Sequence, residues 1–195
     1  WAGTHTFRAA ELVVPRTIDE AAELVASHER IRALGTRHSF NDLADGETLI
    51  SMLEIDPGFE LDERRAEVTV GAGTRYGVLA AWLHERGWAL KNMGSLPHIS
   101  IGGANATATH GSGDRNGVLA TSIAAIELIT AGGEIRRIAR GDEGFEGSVV
   151  SLGALGVAAR VTLDVVPAFD MRQDVFHAVP WEAVLEHLDE LTGCG

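Results

Sequence analysis

Apolar residues recur at Ile18, Ala21, Ala22 and Val25, the three- and four-residue spacing of a single helix face. Thr17 precedes that run and Glu20 follows it by three, a capping-box pattern, so the spacing predicts a helix beginning just after Thr17. On either side the pattern shortens. Thr6 to Arg8 and Glu11 to Val14 read as extended and are broken by Pro15, while Ile31 to Leu34 and Thr48 to Met52 read as strands. Together these predict a small β-α-β-loop-β lobe.

A second lobe begins near Leu61. Its first strand ends in the glycines of "EVTVGAG", and Thr74 is placed to cap a helix with the stripe Tyr76, Leu79, Ala80 and Leu83, stopped by Gly87. A long irregular stretch of small residues follows, of a length that is usually functional or disordered. "SIAAIELITAGGEIRRIA" then gives two β-rich runs joined at Gly132 and Gly133, a hairpin signal. "DEGFEGSVVSLGALG" reads as a short helix running into a glycine turn, and "VAARVTLDVVP" as a strand stopped by Pro167. Met171 to Ala178 reads as a further strand, and Trp181 to Leu191 as a helix with Pro180 near its start.

The chain has 195 residues and a net charge of −12, with 45% apolar residues and no apolar run of membrane-span length. That charge argues against a nucleic-acid partner, whose affinity rests on lysine and arginine at phosphates. It leaves room for a nucleotide cofactor, because backbone N–H groups hold a diphosphate without cationic side chains, and 23 glycines bring such groups close. The one cysteine, Cys194, excludes an internal disulfide and fits a reducing compartment. With no basic amino end leading into an apolar segment, a cytoplasmic location without a membrane partner is the expectation.

Two segments carry candidate chemistry. In "ALGTRHSFND", Gly35 permits close backbone approach, and Thr36, Arg37, His38 and Ser39 present successive N–H groups, the makings of an anion nest. His38 could serve as general base, metal ligand or covalent nucleophile, or simply bond a nearby carbonyl as a turn histidine. In "GSLPHISIGGANATATHGSG", Gly102 and Gly103 open a short helix, with His98 and His110 on either side. There is no phosphate-loop motif, and "GGANATA" lacks the third glycine of the dinucleotide fingerprint. No HExxH, Cys/His cluster or G-x-S-x-G occurs, so neither a metal site nor a serine hydrolase is indicated. His84 and His187 read as exposed helix histidines, and His5, His28 and His177 stand in no motif.

"RALGTRHSFNDLAD", "VTVGAGTRYGVLAAWLHERGWAL", "NMGSLPHISIGGANATATHGSG" and "SLGALGVAARVTLDVVP" occur in that order. The ordered set resembles the FAD-binding domain, of the p-cresol methylhydroxylase type, of the vanillyl-alcohol-oxidase superfamily, and within it the alditol, xylitol and sugar-lactone oxidases. The resemblance implies an α+β domain of two lobes, a small parallel-stranded one over residues 1–53 and a larger, mainly antiparallel one over 54–178, with a diphosphate between them. Residues 179–195 would open a substrate domain. By the same likeness, the loop from Gly35 through Thr36, Arg37, His38 and Ser39 to Phe40 would wrap the FAD diphosphate, and His38 would be joined covalently to the methyl carbon of the flavin's benzene ring. Arg37 would favour the neutral imidazole that this needs. Ser95, Ser100, Gly103, Thr107, Ala108, Thr109 and His110 would line the cofactor, Val157 would meet its adenine end, and Gly94 would leave room for oxygen at the reactive ring.

The implied activity is hydride transfer from a polyol or sugar-lactone carbon to FAD, with oxygen reduced to hydrogen peroxide. No catalytic acid or base is identified in this chain. A cofactor module without turnover, a flavin dehydrogenase with another acceptor, and an acidic interaction domain are the other readings.

Overall fold

The small sheet forms where three short apolar runs align. In the computed structural model, which describes residue 3, residues 5–113 and residues 115–193, β1 (Glu11–Val13), β2 (Ile31–Ala33) and β3 (Thr48–Ile50) form a parallel sheet in the order β1-β3-β2. Cys194 lies outside the described residues. Helix α1 (Ile18–Ser27) connects β1 to β2 and starts as the sequence predicts: Glu20 N–H donates to Thr17 Oγ1 at 3.1 Å. The reciprocal half of the box is shifted by one residue, because Glu20 Oε2 accepts from Arg16 N–H at 2.7 Å.

The larger sheet is antiparallel throughout. Strands β4 (Glu60–Asp62), β5 (Glu67–Gly71), β7 (Ile123–Ile129), β8 (Ile135–Ala139) and β9 (Val157–Asp164) are ordered β4-β5-β9-β7-β8. The β7–β8 hairpin turns at Gly133, whose φ of +79° suits a residue without a side chain. Helix α2 (Tyr76–His84) buries Tyr76, Leu79 and Leu83 of the predicted stripe under this sheet and leaves Ala80 half-buried. Its N-cap is Arg75, without a side-chain cap bond, and not Thr74. Thr74 is held instead by backbone: its N–H donates to Gly71 O and its carbonyl accepts from Ile101 N–H. The short strand β6 (Trp88–Ala89) pairs with β10 (Val166–Pro167) beyond α2. Between β6 and β7 lie the six-residue helix α3 (Ile101–Ala106) and a 3-10 turn at Leu119–Ser122; α4 (Phe145–Val149) precedes β9.

One hydrophobic cluster lies between the large sheet, α2 and α3. A second joins the lobes, packing Ala21, Val25, Ile50 and Met52 against Ile129, Val157 and Ala159. The two lobes therefore share a core. The expected strand over Met171 to Ala178 is absent: these residues are exposed and meet no sheet edge. The expected helix that follows is two short ones, α5 (Trp181–Glu186) and α6 (Leu188–Gly193), and neither buries a residue.

Candidate cofactor-binding site

Both glycine-rich loops open onto one cleft. The first leaves the carboxyl end of β2, where Leu34 N–H donates to Ile50 O at 2.8 Å, and Arg32 Nη1 closes its far side on the Leu43 carbonyl. The second runs from Gly94 into α3 and out to His110. Between them is a cavity of about 700 Å³ with walls from both lobes, within the size range of small-molecule and cofactor sites.

The loops meet through glycine. A Cβ on Gly35 would stand 2.9 Å from Ser100 Oγ and 3.7 Å from Gly103 Cα, and a Cβ on Gly103 would stand 3.1 Å from the same hydroxyl. Neither residue has positive φ. Gly35 is thus required by close approach, not by the turn. The turn strain falls on Arg37, at φ +63°, and in the second loop on Ala108, at φ +52°. Left-handed conformations at residues with side chains each cost of order 1 kcal/mol and cluster at ligand sites.

His38 lies half-buried on the cleft wall. Its Nδ1 is 3.1 Å from Thr36 Oγ1, and its ring packs against His98 at 4.7 Å between centroids with 55° between planes. Burial comes first in holding its pKa below the ordinary imidazole value, followed by the nearby His98; Arg37 adds a smaller push in the same direction, and a hydrogen bond to the Thr36 backbone opposes them. At neutral pH the ring is therefore mainly neutral. Arg37 thus favours the neutral ring as expected, with desolvation and His98 contributing more.

The structure brings Gly35, Thr36, Arg37, His38, Ser39 and Phe40 to the cleft, and with them Gly94, Ser95, Ser100, Gly103, Thr107, Ala108, Thr109 and His110. Val157 is different. Its side chain is buried in the core shared by the lobes, while its neighbours Gly156 and Ala158 line the cavity. The sequence marks His98 only as a histidine of the second motif and does not show its contact with His38, sixty residues away. Sequence reasoning missed the floor formed by Met52, Leu53 and Gly73, and the wall from Ser148 to Gly153. The glycine turn after α4 was the available signal for that wall.

An elongated diphosphate cofactor fits these residues: the walls are pared to glycine where the lobes approach, backbone turns face the cleft, and a mainly neutral imidazole stands on its wall. No helix among the described residues is long and apolar enough to cross a membrane, and no group of three or more potential metal ligands occurs among them.

This two-lobed cleft belongs to a defined class. A family described as "FAD binding domain" matches residues 9–139, and the chain belongs to that family. Over 92% of its length it is 44% identical to an alditol oxidase of a Streptomyces species, of which it covers 44%. It is 38% identical over 97% of its length to an L-gulono-1,4-lactone dehydrogenase of Mycobacterium tuberculosis, covering 45% of that protein. To the L-gulonolactone oxidase of Bos taurus it is 33% identical over 97%, covering 44%. The chain thus spans less than half the length of these relatives.

Proposed function

We propose that this chain is the FAD-binding part of an oxidase that acts on a polyol or sugar-lactone carbon and uses oxygen as acceptor. The observation that carries the reading is the meeting of Gly35, Ser100 and Gly103 across the cleft, which joins the two sequence motifs into one cradle. The names of the three relatives support the substrate class. When bound, FAD would supply a two-electron acceptor for hydride and a route for those electrons to oxygen. The chain's own residues would hold it. The Gly35–Phe40 loop and the Ser100–His110 segment would enclose the diphosphate, and His38 would be the covalent anchor, a role suited to a mainly neutral imidazole. Residues 1–53 and 54–178 would act as two lobes of one unit, and 179–195 would begin the next. Exposure of Trp181 (69%) and Leu185 (59%) supports that last assignment. The deciding measurement is a visible absorption spectrum of the FAD-treated protein before and after acid precipitation. Flavin colour that stays in the pellet is expected; a colourless protein that takes up no FAD would overturn the reading.

A module without turnover is the second reading for the chain by itself, favoured by a cavity lining that, among the described residues, includes no Asp or Glu. FAD-loaded chain mixed with xylitol or sorbitol should release no peroxide above the level of FAD-loaded buffer, because positioning and proton abstraction each contribute large factors. Turnover by this chain would show that the cleft needs no further domain.

Gly94 decides between oxidase and dehydrogenase behaviour. Its φ is not positive, so the backbone does not demand glycine there. A Cβ would meet Thr109 Cγ2 at 3.6 Å and Ile99 Cδ1 at 3.7 Å, ordinary contacts. Gly94→Ala should therefore fold and bind FAD normally. After photoreduction its yellow colour should return at least about three-fold more slowly than wild type in oxygenated buffer, since one methyl fills a gap in a close-packed wall. Unchanged reoxidation would remove Gly94 from the oxygen path.

A further inference from the structure

His38 is not held by its own loop alone. Thr36 Oγ1 accepts a hydrogen bond from Ser100 N–H at 3.2 Å, across 64 residues and between the two walls of the cleft. The same oxygen lies 3.1 Å from His38 Nδ1. Ser100 is 3% exposed, so its N–H needs a protein partner. Its position is fixed from both sides: Tyr76 N–H donates to Ile99 O, and Ile101 N–H to Thr74 O. A hydroxyl offers one proton and two lone pairs. With one lone pair committed to Ser100, the remaining capacity is directed at the imidazole edge, whichever group carries the shared proton. His98 packs against the His38 ring at the same time. The imidazole is thereby held through its edge by the hydroxyl and the backbone of Thr36, of which a substitution removes only the hydroxyl, and through its ring by His98.

We infer that Thr36 is a positioning residue: its hydroxyl ties His38 to the opposite wall of the cleft, and covalent attachment of FAD at His38 depends on that tie. The inference rests on His38 being the anchor. Attachment breaks one methyl C–H bond of the flavin and the imidazole N–H, and forms one C–N bond. It leaves two electrons and two protons on the flavin ring, from which dioxygen takes them as hydrogen peroxide. Bond formation of this kind needs the ring nitrogen at bonding distance and angle, and a displacement near 1 Å costs about a hundred-fold in rate. Thr36→Val keeps the side-chain shape and removes the hydroxyl; Thr36→Ser keeps the hydroxyl. A direct diphosphate contact by Thr36 would make a different prediction, because its loss would weaken FAD binding itself.

The test follows attachment in flavin-free chain mixed with FAD, read as flavin fluorescence on the denatured polypeptide. Thr36→Val should attach at least about ten-fold more slowly than wild type, and Thr36→Ser within about three-fold of it. Thr36→Ala, whose small side chain admits water to the Ser100 N–H, carries the same expectation as Thr36→Val should the latter fold poorly. The attachment rates are compared at saturating FAD, so that a weaker fit of the loop to the diphosphate does not enter them. Nitrogen NMR of the His38 ring in the flavin-free chain gives the readout that a merely structural role would not move: Thr36→Val should alter the Nδ1 shift at neutral pH, and Thr36→Ser should restore it. Attachment by Thr36→Val at the wild-type rate would overturn the proposal, as would equal slowing by Thr36→Ser. Covalent flavin persisting in His38→Ala would instead refute the anchor assignment. The ring-nitrogen spectrum would then decide on Thr36 alone, and an unchanged spectrum in Thr36→Val would dismiss it.

Discussion

His38→Ala is expected to yield a folded protein that binds FAD and releases all of it on acid precipitation. The imidazole is only half-buried on the cleft wall, so its removal opens no sealed core cavity. Its loop stays fixed by groups the substitution does not touch: Leu34 N–H on Ile50 O, the Arg32 guanidinium on Leu43 O, and Ser100 N–H on Thr36 Oγ1. The melting temperature should therefore move by no more than about 2–3 °C, the scale of a surface substitution in a chain of this size. The covalent fraction should fall from nearly complete to background, because the ring set against Thr36 and His98 is that of His38. The comparison is fluorescence of the denatured band for wild type and variant after equal FAD exposure. A fluorescent His38→Ala band would name another anchor, and His98, packed against the same ring, would be the next to substitute.

The elements legible in the sequence are those whose signal is local. The capping pattern at Thr17 and Glu20, the Tyr76–Leu83 stripe and the glycine hairpin between β7 and β8 each appear where the spacing places them. Thr74 misled because a capping residue type is also a turn residue, and here the turn onto Gly71 takes precedence. Met171 to Ala178 has strand-like composition, but a strand exists only where an edge accepts it, and β8 and β4 are the edges of the large sheet without it. The candidate site divides in the same way. Residues inside the two glycine loops were visible as motifs. The His38–His98 contact, the Thr36–Ser100 bond and the Met52–Gly73 floor are products of the fold, joining segments between 21 and 64 residues apart that have no shared pattern. Val157, which the resemblance sets at the adenine end, has its side chain turned into the core by the alternation of β9, while Gly156 and Ala158 beside it line the cavity.

Gly73→Ala is expected to be the most damaging one-methyl change at the cleft. Gly73 follows β5 where the large lobe meets the segment just after β3, and a Cβ there would overlap the Met52 carbonyl and reach within 3.0 Å of Leu53 N. Those atoms are backbone. They cannot rotate away as Ser100 Oγ could for Gly35, so relief requires the lobes to separate. Met52 lies in the core that joins the lobes, beside Ile50 and Val157, and separation would loosen that packing as well. Overpacking against fixed backbone of this kind costs roughly 3 kcal/mol or more, which in a chain of this size lowers the melting temperature by about 6–12 °C. Because Met52, Leu53 and Gly73 also floor the cleft, FAD affinity should fall together with stability. Gly132→Ala is the control: that glycine has open space around its missing Cβ and no positive φ, so its melting temperature should stay level or rise slightly. Thermal melts followed by circular dichroism, with FAD titration of the folded fraction, measure both effects. A Gly73→Ala protein that melts with wild type and binds FAD normally would mean that the Met52–Gly73 contact is not what sets the spacing of the lobes.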